Sequence, residues 1–357
     1  MLISLLLMIY ETWLVGLYAE QSYRRKVELL KRNGCVIIAS PSNVRWLVGT
    51  EGGIVLIDET KEVMVAPKLE LDRIRKSVEW IEVIEGPRGS LWKKVRDLCS
   101  GPYYADLAYL NYSQANSLVS EFKAKDVSKE IARLRRSKDE YELKTIKSAL
   151  KIAEDAFKIT WEELREGITE LQAAGILEMR MRELGAQEYA FNTISAFGEN
   201  SAEPHHIPSA RKWGLNEIAL FDFGAVVNGF RSDITRTFAP DRRSEWMIAV
   251  LEAVNESMKA VREGVRASDI DAIARNVLKE YGYEKAFIHG LGHGVGADIH
   301  EPPYLSPSSN DVLVEGDVVT IEPGIYFQGE GGIRVEQMVV VKRNGWEVLN
   351  ELPALWY

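Results

Sequence analysis

Two strand-like runs flanking Asn228-Gly229 constrain this chain more than any other feature. In EIALFDFGAVVNGFRSDITRTF (217–238), Asn-Gly is the strongest short hairpin signal, because both turn positions take positive φ. With those two residues as the loop, Val227 faces Phe230, Asp222 faces Thr235, and Asp233 faces Gly224. Asp222 and Asp233 then share a face, diagonal across the ladder and about 7–8 Å apart at the backbone. Thr235 stands opposite Asp222, placed to orient it through its hydroxyl. A carboxylate beside a run as apolar as IALF is costly unless it is paired or metal-bound. An ordinary hairpin with two edge-facing aspartates is the plain alternative for this segment taken alone.

A second pair repeats the device. DVVTIEPGIYF (317–327) and IRVEQMVVV (333–341) flank QGEGG. Pairing Phe327 with Ile333 places Glu322 diagonal to Glu336 on one face, and Pro323 marks an edge or bulge there. In HGLGHGVGADIHEPP (289–303), four glycines surround His293, so backbone and ligand can approach closely, and His300 follows. All five histidines fall between 205 and 300, which puts the chemistry in the C-terminal part. SAFGENSAEPHH (195–206) is turn-rich and ends in His205-His206; a surface loop is its plain reading. Asp222, Asp233, His293, Glu322 and Glu336 together suit two divalent ions sharing a hydroxide. Such oxygen-rich ligation favours Mn²⁺, Co²⁺ or Fe²⁺ over a thiolate-type zinc site. Two ions about 3.5–4 Å apart activate water and polarise a carbonyl, which is the chemistry of amide hydrolysis.

The rest of the chain frames that site. A length of 357 residues suggests two domains. A net charge of −9 argues against a nucleic-acid partner. Cys35 and Cys99 show no metal-ligand spacing, and no disulfide framework is indicated, which fits a cytoplasmic protein. Residues 1–20 form an apolar N-terminal extension. It lacks a basic leading region and is interrupted by Glu11, so it reads as a packing helix or as the product of a start codon placed upstream of the true one, with Met8 internal, and a membrane partner is not expected. Residues 21–125 read as an α/β domain. Its expected elements are a helix from Tyr23 to Arg32, strands at CVIIA and WIEVIEG, a hairpin over Glu59-Thr60-Lys61, a helix at LWKKVRDLC and strand with loop at YYADLAYL. Residues 126–357 form the catalytic domain, opening with two helices over 125–165, the first of them a link.

The set FDFGAVVNGFRSDITRTF, GLGHGVGADIHE, TIEPGIY and IRVEQ resembles the pita-bread metallopeptidases, which include prolidase, aminopeptidase P and methionine aminopeptidase. SNVRWLVGT (42–50) and RLRRSKDEYELKTIKSA (133–149) look like the N-terminal domain and linker of prolidases and aminopeptidases P. The nearest likeness is to archaeal Xaa-Pro dipeptidases. The resemblance implies a creatinase-like α/β N-terminal domain and an α+β pita-bread catalytic domain. It implies two divalent ions, Mn²⁺ or Co²⁺, with Fe²⁺ or Zn²⁺ as alternatives. Asp222 would be a terminal ligand, Asp233 and Glu336 would bridge, and His293 and Glu322 would hold the other ion. Glu322 would also carry the proton to the leaving amine. His205 would contact substrate, and His300 would stabilise the tetrahedral intermediate. The expected substrate is a small Xaa-Pro dipeptide and the expected assembly a homodimer. The chain departs from the family pattern twice. Gln337 follows the last ligand where Asp or Asn is usual. Tyr304 stands where an arginine that could hold a substrate carboxylate is looked for, with Arg211 or Arg334 as substitutes. An aminopeptidase P acting on longer peptides is one alternative. A catalytically inactive binding protein on the same fold is another.

Overall fold

The computed structural model describes residues 2–239 and 244–355. The chain divides into two compact units: residues 1–135 with 139–142, and residues 136–138 with 143–357. The first of the two helices over 125–165, Ser128–Arg136, therefore counts almost entirely with the N-terminal unit instead of standing between the two.

In the N-terminal unit, a mixed six-stranded sheet runs in the order Glu82–Glu85, Glu62–Ala66, Ile54–Ile57, Cys35–Ile38, Tyr103–Ala105, Lys125–Asp126. Ile57 pairs with Glu62 across the turn at Glu59-Thr60-Lys61, where Asp58 accepts from the amides of Thr60 and Lys61. The strands Cys35–Ile38 and Ile54–Ile57 are buried throughout, so their side chains read as apolar runs without alternation. The helix reaching Leu30 begins at Leu2; the apolar side chains of residues 1–15 lie outside the described set. Among the described residues, no helix is long and apolar enough to cross a membrane. One expectation fails here. Cys35 opens a strand, Cys99 ends the helix Trp92–Leu98, and the two are joined as a disulfide with Cα atoms 5.9 Å apart. Neither residue belongs to a spaced motif, so the pairing is visible only once the sheet places them together.

In the C-terminal unit, Ala219–Phe223 is the central strand of three, between Ile194–Phe197 and Ile234–Phe238. Phe157, on the helix Glu140–Glu163, stacks on Phe223 with ring centroids 5.0 Å apart and covers the face away from the site. A five-stranded sheet runs Glu301–Leu305, Gly292–Gly294, Val318–Ile321, Gln337–Lys342, Gly345–Val348. The helices Ser244–Ala260 and Ala267–Glu280 back it. Ile270, Ala274 and Leu278 recur every four residues and are buried in one core with Val319, Ile321 and Val339.

The two hairpins carry the site. In the first, Asn228 (φ 45°) and Gly229 (φ 81°) form the turn, Val227 pairs with Phe230, and Asp222 pairs with Thr235, in the register read from sequence. In the second, the register differs by two residues. Phe327 pairs with Gly331, not with Ile333, and the loop shortens to Gln328–Glu330, since Gly329 (φ 77°) and Gly331 (φ 124°) make the tighter turn. Gly324 pairs with Arg334 and Ile321 with Gln337, so Glu322 and Glu336 stand level instead of diagonal. The ladder opens at that level. Pro323 has no amide hydrogen, the Glu322 amide donates to Leu291 O (2.9 Å), and the Glu336 amide to Thr235 O (3.3 Å).

Candidate metal centre

Each of the four carboxylates sits where a strand gives out. Asp222 is the penultimate residue of Ala219–Phe223, and Asp233 immediately precedes Ile234–Phe238. Between them, Gly224 presses against the opposite strand: a Cβ there would stand 1.9 Å from Ser232 O. Glu322 directly follows Val318–Ile321, and Glu336 directly precedes Gln337–Lys342. His293 lies mid-strand in Gly292–Gly294, between the strands of Glu301 and Val318. The flanking glycines permit a close approach, here of one backbone to another. A Cβ at Gly292 would meet Thr320 O at 2.1 Å, so glycine here lets two backbones close on each other. The Thr320 hydroxyl ties the result together, accepting from the His293 amide (3.0 Å) and donating to Glu322 Oε1 (3.0 Å).

The side chains converge. Carboxylate oxygens of Asp222, Asp233 and Glu336 lie within 4.8 Å of one another, all three residues buried. His293 Nε2 is 3.1 Å from Glu322 Oε1 and 3.6 Å from Asp233 Oδ2. Thr235 faces Asp222 as expected, yet its hydroxyl donates to Glu336 Oε2 (3.0 Å) while accepting from Arg334 Nε (3.1 Å). Among the described residues, Asp222 Oδ1 and Glu336 Oε1 are buried without any hydrogen-bond partner, although their second oxygens are engaged. Such orphaned anionic atoms are costly unless a cation takes them.

The charge balance agrees. Burial, then the charges of Glu336, Asp222 and Glu322, push Asp233 well above the ordinary carboxylate range. Burial, then Glu322 and Asp222, do the same to Glu336, and burial raises Asp222 despite Arg334. Glu322 is the exception: burial acts upward, but the hydrogen bond and charge of His293 hold it at about 2. His293 is raised in turn, burial acting against the stronger pull of Glu322. Four carboxylates packed this closely repel one another, and divalent cations are what relieves that repulsion. The donor set fits two such ions.

Arg334, read from sequence as a substrate contact, lines the cavity with its donors already engaged. It is 2% exposed and its donors go to its own chain: Asp222 Oδ2 (2.6 Å), the Tyr326 hydroxyl (2.7 Å), Thr235 and Pro204 O (3.2 Å). Arg211 is also taken up, by Glu199 and Glu217. Sequence reading missed His289 and Tyr326. The Tyr326 hydroxyl accepts from Arg334 and reaches His289 Nε2 (2.9 Å), whose other nitrogen faces Gly290 O (2.8 Å). The phenol therefore donates to a neutral imidazole protonated on Nδ1, and burial lowers His289 and lifts Tyr326 to about 12. The signal was available: His289 lies four residues before His293, and Tyr326 four after Glu322.

A cavity of about 920 Å³ opens over the cluster. Asp222, Asp233, His293 and Glu322 line its floor, and His205, His300, Ile207 and Tyr304 its walls. His205 and His300 are both exposed, and the His300 ring stands edge-on to His293 with centroids 4.3 Å apart. Burial, then His293, lowers the pKa of His300.

Residues 144–343 match the profile of metallopeptidase family M24, and residues 28–137 that of the creatinase/prolidase N-terminal domain. The chain belongs to metallopeptidase family M24. Among its relatives is the Xaa-Pro dipeptidase of Pyrococcus furiosus, 35% identical over 324 residues, covering 87% of this chain and 91% of that protein. The Xaa-Pro dipeptidase of Pyrococcus horikoshii is 33% identical over 91% of this chain and 95% of its own. The X-Pro aminopeptidase of Thermotoga maritima superposes with a TM-score of 0.85 at 33% identity, covering 92% of this chain and 98% of that one. The Pyrococcus furiosus prolidase gives 0.81 at 34% identity, over 90% and 97%. The creatinase-like N-terminal domain and pita-bread catalytic domain expected from the motifs are thus this M24 chain's fold, and it is a metallopeptidase that binds divalent metal.

Proposed function

We propose that this enzyme cleaves the peptide bond before a proline, with Xaa-Pro dipeptides as its substrates. The observation that carries the reading is the convergence of Asp222, Asp233, His293, Glu322 and Glu336 beneath an open cavity, two of their oxygens left without partners. The activity of the Pyrococcus relatives, both Xaa-Pro dipeptidases by name, supports the proline-specific substrate. Those five residues would hold two ions, Mn²⁺ or Co²⁺ by the oxygen-rich donor set. Bound there, the ions lower the pKa of water and polarise the scissile carbonyl. The rest belongs to the chain. Glu322, facing the cavity, takes the proton of the attacking water and delivers it to the proline nitrogen as it leaves. On the walls, His300 donates to the carbonyl oxygen as charge develops on it, and His205 contacts the bound substrate. Arg334 and Thr235 fix the orientations of Asp222 and Glu336.

One observation favours a second reading, aminopeptidase action on longer Xaa-Pro peptides. Among the described lining residues, the guanidinium present is that of Arg334, which is engaged by Asp222 and Tyr326, and Tyr304 occupies the wall. A dipeptide's carboxylate then finds no dedicated arginine. Hydrolysis of an Xaa-Pro dipeptide and an Xaa-Pro-Xaa tripeptide, each with Mn²⁺ or Co²⁺, separates the two. Cleavage of the tripeptide alone sinks the dipeptidase reading. Family resemblance suggests a homodimer, which sedimentation tests; the Cys35–Cys99 disulfide removes the ground for expecting a cytoplasmic location, and cell fractionation tests that location.

A further inference from the structure

One histidine has no part in the chemistry above. His206 follows the cavity-lining His205 but is buried, 8% exposed. Both of its ring nitrogens meet carboxylates: Nδ1 is 2.7 Å from Glu203 Oε2, and Nε2 is 2.9 Å from Glu170 Oε2. A neutral imidazole can donate from only one nitrogen, so facing two ionised carboxylates requires the imidazolium.

Glu170 is ionised by its surroundings. It is wholly buried at the start of the helix Glu170–Glu183, where the helix dipole favours an anion. Its Oε1 accepts from the Phe197 amide (2.8 Å) and Asn200 Nδ2 (3.0 Å). Its Oε2 accepts from the Ser209 amide (2.9 Å) and hydroxyl (2.6 Å) as well as from His206. Burial acts to raise its pKa, and these donors outweigh it to leave it lowered. The carboxylate thus binds the helix start, the 3-10 turn Gly198–Ala202 and the segment 204–209 into one knot.

We propose that the His206 imidazolium, clamped between Glu170 and Glu203, is a positioning residue that holds segment 204–209 in place and so sets His205 against the substrate. The proposal rests on the peptidase reading for its consequence, but its structural half stands independently. Charged groups reach the ring from two elements, Glu170 on the helix and Glu203 on its own turn, and Asn200 Nδ2 lies 3.4 Å from Nε2. The two clamps differ. The Glu203 side chain is 59% exposed, while Glu170 is fully enclosed. Burial lowers the pKa of His206, and the hydrogen bonds of Glu203 and Glu170 override it, leaving it raised. A raised histidine loses its proton as pH climbs through its folded value. One nitrogen then presents a lone pair to a carboxylate, and Glu203, held by little else, is the side that lets go. The wall carrying His205 loosens, and substrate binding weakens on the alkaline side.

Two substitutions test this in the full-length, metal-loaded enzyme. Glu203→Gln changes an exposed side chain and removes one clamp; His206→Gln keeps a donor toward Glu170 and cannot titrate. With Xaa-Pro peptides, KM should rise toward alkaline pH in the wild type. That limb should move about one pH unit lower in Glu203→Gln and vanish in His206→Gln, with kcat little changed. A limb unmoved by both substitutions overturns the coupling to substrate. A purely structural role would lower activity at every pH without moving the limb.

A second readout needs no peptidase activity. In Zn²⁺-loaded protein carrying ¹³C-labelled histidine, the five ring resonances are assignable by substitution. The His206 resonance should titrate above the usual histidine range, and lower in Glu203→Gln. The His205 resonance should show an inflection at the His206 midpoint that disappears in His206→Gln. A His206 that titrates below the ordinary range, or a His205 signal blind to it, refutes the clamp, whatever the peptide assay gives. Absence of peptide hydrolysis with these NMR signatures intact refutes the peptidase reading and leaves the clamp established.

Discussion

The two hairpins that carry the metal ligands are built from similar sequence and behave differently. Across Asn228-Gly229 the ladder follows the register that the turn dictates, and Asp222 meets Thr235. Across Gln328–Glu330 the register departs from the simplest reading, and the ladder opens around Glu322 and Glu336. A two-residue turn with both positions at positive φ leaves a hairpin one alignment. A glycine-rich connection such as QGEGG admits several, and packing decides among them. The second hairpin has partners beyond itself: Leu291 takes the Glu322 amide and Thr235 the Glu336 amide. The lesson is that tertiary hydrogen bonds override local turn chemistry where that chemistry is permissive.

The largest effect should come from either hairpin's carboxylates. Asp222→Asn, or Glu336→Gln, should lose bound metal and lower kcat/KM about a thousandfold or more, with the fold retained by circular dichroism. Glu322→Gln should abolish turnover while at least one ion stays bound, read by elemental analysis. Full activity in any of these would defeat the site. Next comes the residue joining the hairpins. Arg334→Met leaves Asp222 buried without its cation and should cost the metal-free protein about 3–5 kcal/mol in denaturant unfolding. The penalty should shrink when Mn²⁺ is present.

Ion binding itself should stabilise by about 2.7 kcal/mol at a hundredfold excess over Kd, raising Tm. The pH sign follows from Asp233 and Glu336, whose folded pKa values are raised. Their contribution in the metal-free state is complete below the unfolded carboxylate range and is lost as pH rises through the raised values. The gain in Tm on adding metal should therefore grow from pH 5 to pH 7; a gain that shrinks would show that cations do not replace those protons. Smaller effects separate the hairpins. Gly224→Ala forces a Cβ onto Ser232 O in the first and should cost about 1–3 kcal/mol. Pro323→Ala in the second only restores an amide where the ladder has already opened, and should shift stability by about 0.5 kcal/mol or less.

Much of the site is legible in the order of residues alone. An aspartate beside IALF and another eleven residues on, with Asn-Gly between, fixes a shared face by pleat and turn. The helix Glu140–Glu163 follows from periodicity. What the sequence hides depends on distance in space. Cys35 and Cys99 meet because a strand and a helix end meet. That Asp222 and Tyr326 hold Arg334 is visible only in the packing. His289 carries a spacing signal that points nowhere until Tyr326 stands beside it.

The ligands' placement at the ends of strands has a consequence for how such an enzyme can change. Asp233 and Glu322 lie just outside their strands, so lengthening a strand by one pair through either would draw that ligand into the sheet. Variation that respects the centre is channelled into side chains of the cavity wall, such as Ile207 and Tyr304, which can be exchanged while the backbone keeps its place. A protein built this way can acquire a new substrate range while its ion chemistry stays fixed, and an engineer choosing where to diversify it would begin at Ile207 and Tyr304.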